Sequence, residues 1–399
     1  MLEGLKVVEY ATYMAAPGAA GILADWGADV IKVEPPGGDP SRMFFDTIGA
    51  ESAVNPVFDF DNRGKRSIEL DTRNEKAREV LKRLAANADV FLTNVRPSGL
   101  ARAGLDHESL MKANPRLVYA SVTGYGLEGA DRDRPGFDVA AFWARSGAAA
   151  AFAPKGVEPF PIRTAFGDHV TSIATAAGIL AALVERQGTG KGRLVEASLL
   201  RAANYAMGSD LSIQHHFGKL ASTRPRHAAV SPLANFFKTK DERWVCLVPR
   251  QGGKDFPNYC RAIGREEMAD DERFKSGRSR RENVAALVTA FDEAFAGFTF
   301  DEIAARLDAE DIAWAPVQTP AEAAADAQLE AAGGIVSVRQ RDGSAIKSPA
   351  SPVRFPGAEK SELPAGPLRG EHTRAVMKEL GYADAEIDAL ISDGAAKSA

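Results

Sequence analysis

Short apolar runs alternate with helical periods through the first 200 residues, and that alternation restricts the fold more than any other feature. Leu5–Tyr10, Ala28–Val33, Arg66–Leu70, Asp89–Asn94, Leu117–Val122 and Arg193–Ala197 read as strands. Helical segments fall between them, among them Asn74–Asn87, Pro97–Arg102 and His107–Asn114. Runs that stay apolar on both faces fit a parallel sheet covered by helices, and βαβ units connect such strands with right-handed crossovers. The fold class expected is α/β. A chain of 399 residues with 45% hydrophobic content exceeds the size at which a single core keeps growing, so more than one domain is expected. The composition changes near residue 218. Strands Ala234–Lys238 and Trp244–Pro249 then flank a turn, and helices follow near Phe256–Ile263, Glu282–Phe298 and Phe300–Asp308. These mark a smaller α+β domain. The boundaries expected are 1–217, 218–330 and 331–399, with the last part returning to the large domain. Residues 35–61 read as an irregular loop, Leu199–Phe217 as one long helix, and Asp393–Ala399 as a fraying tail.

Bulk properties exclude several classes of function. The net charge is −5 and the basic residues are dispersed, which argues against nucleic acid or an anionic membrane as partner. MLEGLKVVEY enters a strand pattern at once, without the flanks of a signal peptide, and a cytoplasmic location is expected. The apolar run at Ala174–Val184 is too short to span a membrane. Two cysteines, Cys246 and Cys260, are too few for a disulfide framework or a cysteine zinc site. The six histidines lack metal-ligand spacing, so no metal is expected. The first βα turn holds Ala16, Pro17, Gly18 and Gly21 rather than G-x-G-x-x-G, so NAD is not expected either. Gly188–Gly192 misses the P-loop pattern and reads as a helix-to-strand turn. Asn62-Arg63-Gly64-Lys65-Arg66 is a charged turn that faces solvent or meets a phosphate, and the solvated reading is preferred.

Residues 161–193 carry the most distinctive local pattern. Asp168 stands before a run of small and apolar residues, including Val170, Ala174, Ile179 and Leu183, that predicts a helix buried nearly all round. On residue type alone Asp168 reads as an N-cap. With no G-x-S-x-G elbow and no cysteine in a nucleophile motif, a carboxylate is what remains for chemistry.

Eight segments together resemble the class III CoA-transferases. They are residues 2–42, N62RGKRSIELD, 88–106, 115–129, Gly167-Asp168 with the helix after it, T189GKGRLVEASL, 315–326 and G370EHTRAVMKELGY, in the family's order over essentially the whole chain. The stretch G136FDVAAFWARSG is most similar to transferases of 2-hydroxy acids or their unsaturated products. The resemblance implies a Rossmann-like large domain built from both termini, an inserted smaller domain, and an interlocked, ring-like homodimer. It implies Asp168 as the catalytic aspartate and coenzyme A as co-substrate, exchanged between an acyl-CoA and a carboxylic acid. The CoA site is then expected along Tyr13, Met14 and Ala15, Leu70, Asp71, Thr72 and Arg73, Asn94, Val95 and Arg96, Arg102 and Arg134. The acyl pocket is expected at Phe137, Asp138 and Trp143, with the 40–60 and 227–235 loops; Phe44, Phe45 and Phe142 hint at an apolar acyl group.

The sequence also departs from the formyl-CoA transferase pattern. Thr12, Tyr13 and Met14 replace His-Val-Gln, Pro35 replaces an arginine, and Ala228–Asn235 (AAVSPLAN) replaces a Gly-rich active-site loop. An aspartate with an ordinary acidity near 4 is ionised at neutral pH, and a helix N-terminus would keep Asp168 so. An α-methylacyl-CoA racemase is the rival within the fold. It needs a base on each side of the α-carbon, whereas its histidine slot is Phe137 here. A non-catalytic acyl-CoA binder is the rival outside catalysis, and it has no use for Asp168.

Overall fold

The structure is a computed structural model and describes residues 1–47, 54–250, 253–360 and 362–399. Six parallel strands form the central sheet: β1 (Lys6–Tyr10), β2 (Asp29–Glu34), β3 (Arg66–Leu70), β4 (Val90–Thr93), β5 (Val118–Thr123) and β6 (Leu194–Ser198). Their order is β3-β2-β1-β4-β5-β6, and Ala396–Lys397 adds an antiparallel edge beside β3. Side chains alternate between two cores. Val8, Ile68, Phe91 and Tyr119 face a layer that contains Leu81, Val376 and Ile387. Val7, Val30, Leu92 and Ala120 face helix α1 (Ala15–Asp25) and the long helix Phe166–Thr189.

The small residues of α1 serve helix packing. A Cβ on Gly18 would lie 2.5 Å from the Ser172 hydroxyl, and one on Gly21 would lie 2.7 Å from the Asp61 carbonyl oxygen. Both glycines therefore let neighbouring helices approach the backbone of α1.

Backbone contacts divide the chain into two units. The first comprises Met1–Ala150, Phe160–Leu220 and Gln328–Ala399, and contains the central sheet. The second comprises Ala151–Pro159 and Ala221–Ala327. Within it, antiparallel strands Asn235–Lys238, Trp244–Leu247 and Trp314–Pro316 cover a core that includes Phe237, Tyr259, Phe291 and Phe295.

Several local expectations are overturned. Within the described part of the 35–61 segment, short helices form at Pro40–Met43, Phe44–Thr47 and Pro56–Asn62. The last is started by Asn55, whose side chain accepts the Phe58 N–H at 2.9 Å, with Pro56 in the first turn. The 199–217 helix breaks at Met207 into Leu199–Ala206 and Gly208–Phe217. The tail does not fray throughout, because Ala396 and Lys397 pair with Leu70 and Glu69.

The Asn62–Arg66 run is neither a solvated turn nor a phosphate contact, since its cations are taken by carboxylates. Arg63 forks onto Asp25 at 3.0 and 2.7 Å, Lys65 reaches Glu9 at 2.6 Å, and Arg66 grips Asp29 at 2.9 and 2.6 Å. Nor is the long helix buried all round: Phe166, Ile173 and Val184 are exposed on one face. Its opposite face, with Thr171, Thr175, Ile179 and Ala182, satisfies the intrachain core alone.

Candidate active site

The strand order reverses between β1 and β4, and ligands of such sheets sit outside the carboxyl ends at that point. A cleft of about 800 Å³ lies there, walled by the segments after β1, β4 and β5 and by Asp168. The first two walls are tied by Asn94, whose side chain accepts the Thr12 N–H at 3.1 Å and donates to the Thr12 carbonyl at 2.7 Å. Tyr13 follows in the left-handed region, at φ 66°. That conformation is costly for a tyrosine, and it is held by the Tyr13 N–H donating to Asp39 Oδ1 at 3.0 Å. Asp39 is itself fixed by buried Lys32 at 2.7 Å. A buried ion pair thus sets the backbone beside the cleft.

Asp168 sits in the first turn of Phe166–Thr189, so it is not the N-cap. The cap position belongs to Ala165, at φ 62°, which has no side chain to satisfy the first amides. Asp138 supplies the missing acceptor from another segment: its Oδ2 takes the Gly167 N–H at 3.2 Å. Gly167 is required there, because a Cβ would lie 2.3 Å from Asp138 Oδ1 and 2.3 Å from Phe142 Cγ.

The electrostatics of Asp168 differ from the expectation of an ordinary ionised aspartate. Burial, the neighbouring Asp138 and more distant Asp61 push its carboxyl up to about 7, against a partial pull from His169. The helix N-terminus favours the anion, but desolvation and like charge outweigh it. His169 Nε2 lies 3.2 Å from Asp61 Oδ1. Burial opposes charge on that ring, yet Asp61, Asp168 and Asp138 together raise its proton affinity. A carboxylate that titrates near neutrality is a stronger base and nucleophile than an ordinary aspartate.

Comparison with known proteins decides the family. Residues 2–373 match CoA-transferase family III. The chain belongs to that family. The (R)-2-hydroxy-4-methylpentanoate CoA-transferase of Clostridioides difficile is 34% identical over 390 residues, covering 97% of each chain. The cinnamoyl-CoA:phenyllactate CoA-transferase of Clostridium sporogenes is 34% identical over 399 residues, covering 98% of this chain and 96% of the relative. Among solved structures, a CAIB/BAIF family protein from Brucella suis superposes with a TM-score of 0.83 at 32% identity, over 95% of this chain and 99% of that one.

In this CoA-transferase the cleft brings together Tyr13, Met14, Ala15, Asn94, Val95, Arg96, Arg102, Arg134, Phe137, Asp138 and Asp168. Leu70, Asp71, Thr72 and Arg73 do not line it. Leu70 is buried at the end of β3, the Thr72 hydroxyl pairs with Tyr10 at 2.8 Å, and Arg73 folds back onto Asp71 at 2.8 Å. Trp143 does not line it either: its indole N–H donates to the Phe160 carbonyl at 2.6 Å, and its ring packs on Phe160. Phe44 lines the cleft while Phe142 packs beneath Gly167. Of the 40–60 segment, residues 48–53 lie outside the described residues.

Sequence reasoning missed two groups. Arg132 joins Arg96, Arg102 and Arg134 along the cleft, and Arg96 and Arg102 have no carboxylate partner among the described residues. Asp61 lies 108 residues from His169 in the chain, and no spacing rule connects them. Gly124 and Gly136 cross so closely that a Cβ on the first would lie 2.7 Å from the Cα of the second. That crossing closes the base of the segment carrying Arg132 and Arg134.

Proposed function

We propose that the protein moves CoA between an acyl-CoA and a free carboxylic acid through covalent intermediates on Asp168. The observation that carries this reading is the placement of Asp168 at the carboxyl ends of the sheet in a cleft lined by four arginines, where burial and Asp138 push its carboxyl up to about 7. An Asp168 oxygen attacks the thioester carbonyl; the C–S bond breaks, leaving a mixed anhydride and CoA thiolate. The thiolate then attacks the aspartyl carbonyl, which releases the first acid and leaves an aspartyl-CoA thioester. The second acid displaces the thiolate to form a new anhydride. Attack of the thiolate on the new acyl carbonyl frees Asp168 and the product acyl-CoA. The overall exchange replaces one thioester by another of similar energy, and the protein's task is to hold the partners and keep water from the anhydrides.

The arginines suit the phosphates of CoA. Tyr13 meets Phe137 edge-on at 5.5 Å beside Phe44, which suits an apolar acyl group. Two relatives named for 2-hydroxy-4-methylpentanoate and phenyllactate favour 2-hydroxy acids as substrates. Phe137 stands where a racemase needs a histidine, and its ring accepts no proton.

The test is Asp168→Ala with acyl-CoA and a panel of 2-hydroxy acids. CoA exchange should fall at least about a thousandfold, and hydroxylamine should label Asp168 only in the wild type supplied with acyl-CoA. Undiminished exchange in the variant sinks the reading. The proposal includes a homodimer, because the exposed face of the long helix and a Gly208–Phe217 helix with no buried residue leave apolar surface that a second copy would cover. Equilibrium sedimentation should then give twice the chain mass of 42.5 kDa, and a monomer at micromolar concentration would refute it.

A further inference from the structure

Asp138 opens the π-helix Asp138–Ala144 and is only 6% exposed. Such helices are rare and gather at functional sites. Besides accepting the Gly167 amide at 3.2 Å, the Asp138 carboxylate is favoured electrostatically by the Asp168 backbone N–H. Asp138 forms no ion pair among the described residues, and its Oδ1 is buried without a hydrogen-bond partner there. A serine or asparagine would satisfy the same amides without bringing a charge. The carboxylate therefore does more than cap a helix.

We propose that Asp138 is a positioning residue for Asp168: it fixes the turn on which the nucleophile rides and sets a second negative charge against it. The inference rests on the reading of Asp168 as nucleophile. Two facing carboxylates share charge reluctantly, so the last to ionise keeps its proton to higher pH and is the more basic when it loses it. Acylation removes one of the two charges. The repulsion present before attack is then absent after it.

Asp168 is influenced from its own helix by His169, from Pro56–Asn62 by Asp61, and from the π-helix by Asp138. The first turn of α1 packs on the long helix through uncharged groups: the Ala15 carbonyl accepts the Ser172 hydroxyl at 2.7 Å, and Gly18 lies against the same hydroxyl. Asp138 is the largest charged influence on Asp168.

The experiment compares kcat/KM across pH for wild type, Asp138→Asn and Asp138→Ser, with melting temperatures as the folding control. Both variants keep an acceptor for the amides and lack the charge. The acid limb should move about one pH unit lower in both, while exchange at pH 8 falls about tenfold as the nucleophile becomes less basic. A folded variant whose acid limb stays in place overturns the proposal, whether or not its activity at pH 8 falls. Asp138→Ser covers the case in which the carboxamide cannot be housed beside Phe142. Retained turnover in Asp168→Ala would instead remove the nucleophile reading, which separates the two failures.

Discussion

Two sets of ionisable side chains, one buried and one only partly so, touch α1, and they are composed differently. In one, Glu9 bridges Lys32 and Lys65 at 2.6 Å each, and Lys32 also meets Asp39 at 2.7 Å. Remaining donors are absorbed too, since Lys65 donates to the Pro17 carbonyl and to Asn62 Oδ1 at 2.9 Å each. In the other, Asp168, Asp138 and Asp61 gather around His169, with Asp61 Oδ1 3.0 Å from where a Gly18 Cβ would lie. The first set matches each anion with a cation and fixes backbone; the second carries surplus negative charge. Matched burial is architecture, whereas unmatched burial keeps a group reactive.

Removing one charge from each set should change stability in opposite directions. Lys65→Met strands a buried Glu9 oxygen and should lower folding stability by about 3–5 kcal/mol, read as a lower urea midpoint. A variant as stable as wild type would show that the matched set is dispensable. The smaller effect belongs to Asp168→Asn. The folded protein protonates Asp168 at about 7, and the unfolded chain does so at about 4. Ionisation thus penalises only the folded state, and the penalty is absent below about pH 4, grows toward pH 7 and is complete above it. Three pH units correspond to about 4 kcal/mol, roughly halved by the solvent that reaches this half-buried group. Asp168→Asn should therefore exceed wild type by about 2 kcal/mol at pH 8 and match it at about pH 4. Equal stability at pH 8 would mean that the unmatched set carries no strain.

The same contrast explains what was legible beforehand. Strands such as Val90–Thr93, buried along their whole length, announce themselves as apolar runs, and each of the six lies within one residue of its expected ends. Family likeness singles out Asp168, but its raised proton affinity is not legible, because Asp138 and Asp61 arrive from distant segments. The Asn62–Arg66 cations were misread for the same reason: their partners lie on β1, α1 and β2. Ala396 and Lys397 carry no strand signature and are placed by the free edge of β3. Local pattern encodes periodicity, whereas charge pairing is settled by which elements meet.

The meeting of Gly124 and Gly136 leaves the intervening residues as a handle clasped at its root. On the reading proposed above, substituting or resizing that handle would alter how the CoA end of a ligand is held, while Phe137 and Asp138 lie just beyond the clasp. On the proposed reading, the grip on CoA is adjustable there apart from the acyl pocket and the reacting carboxylate.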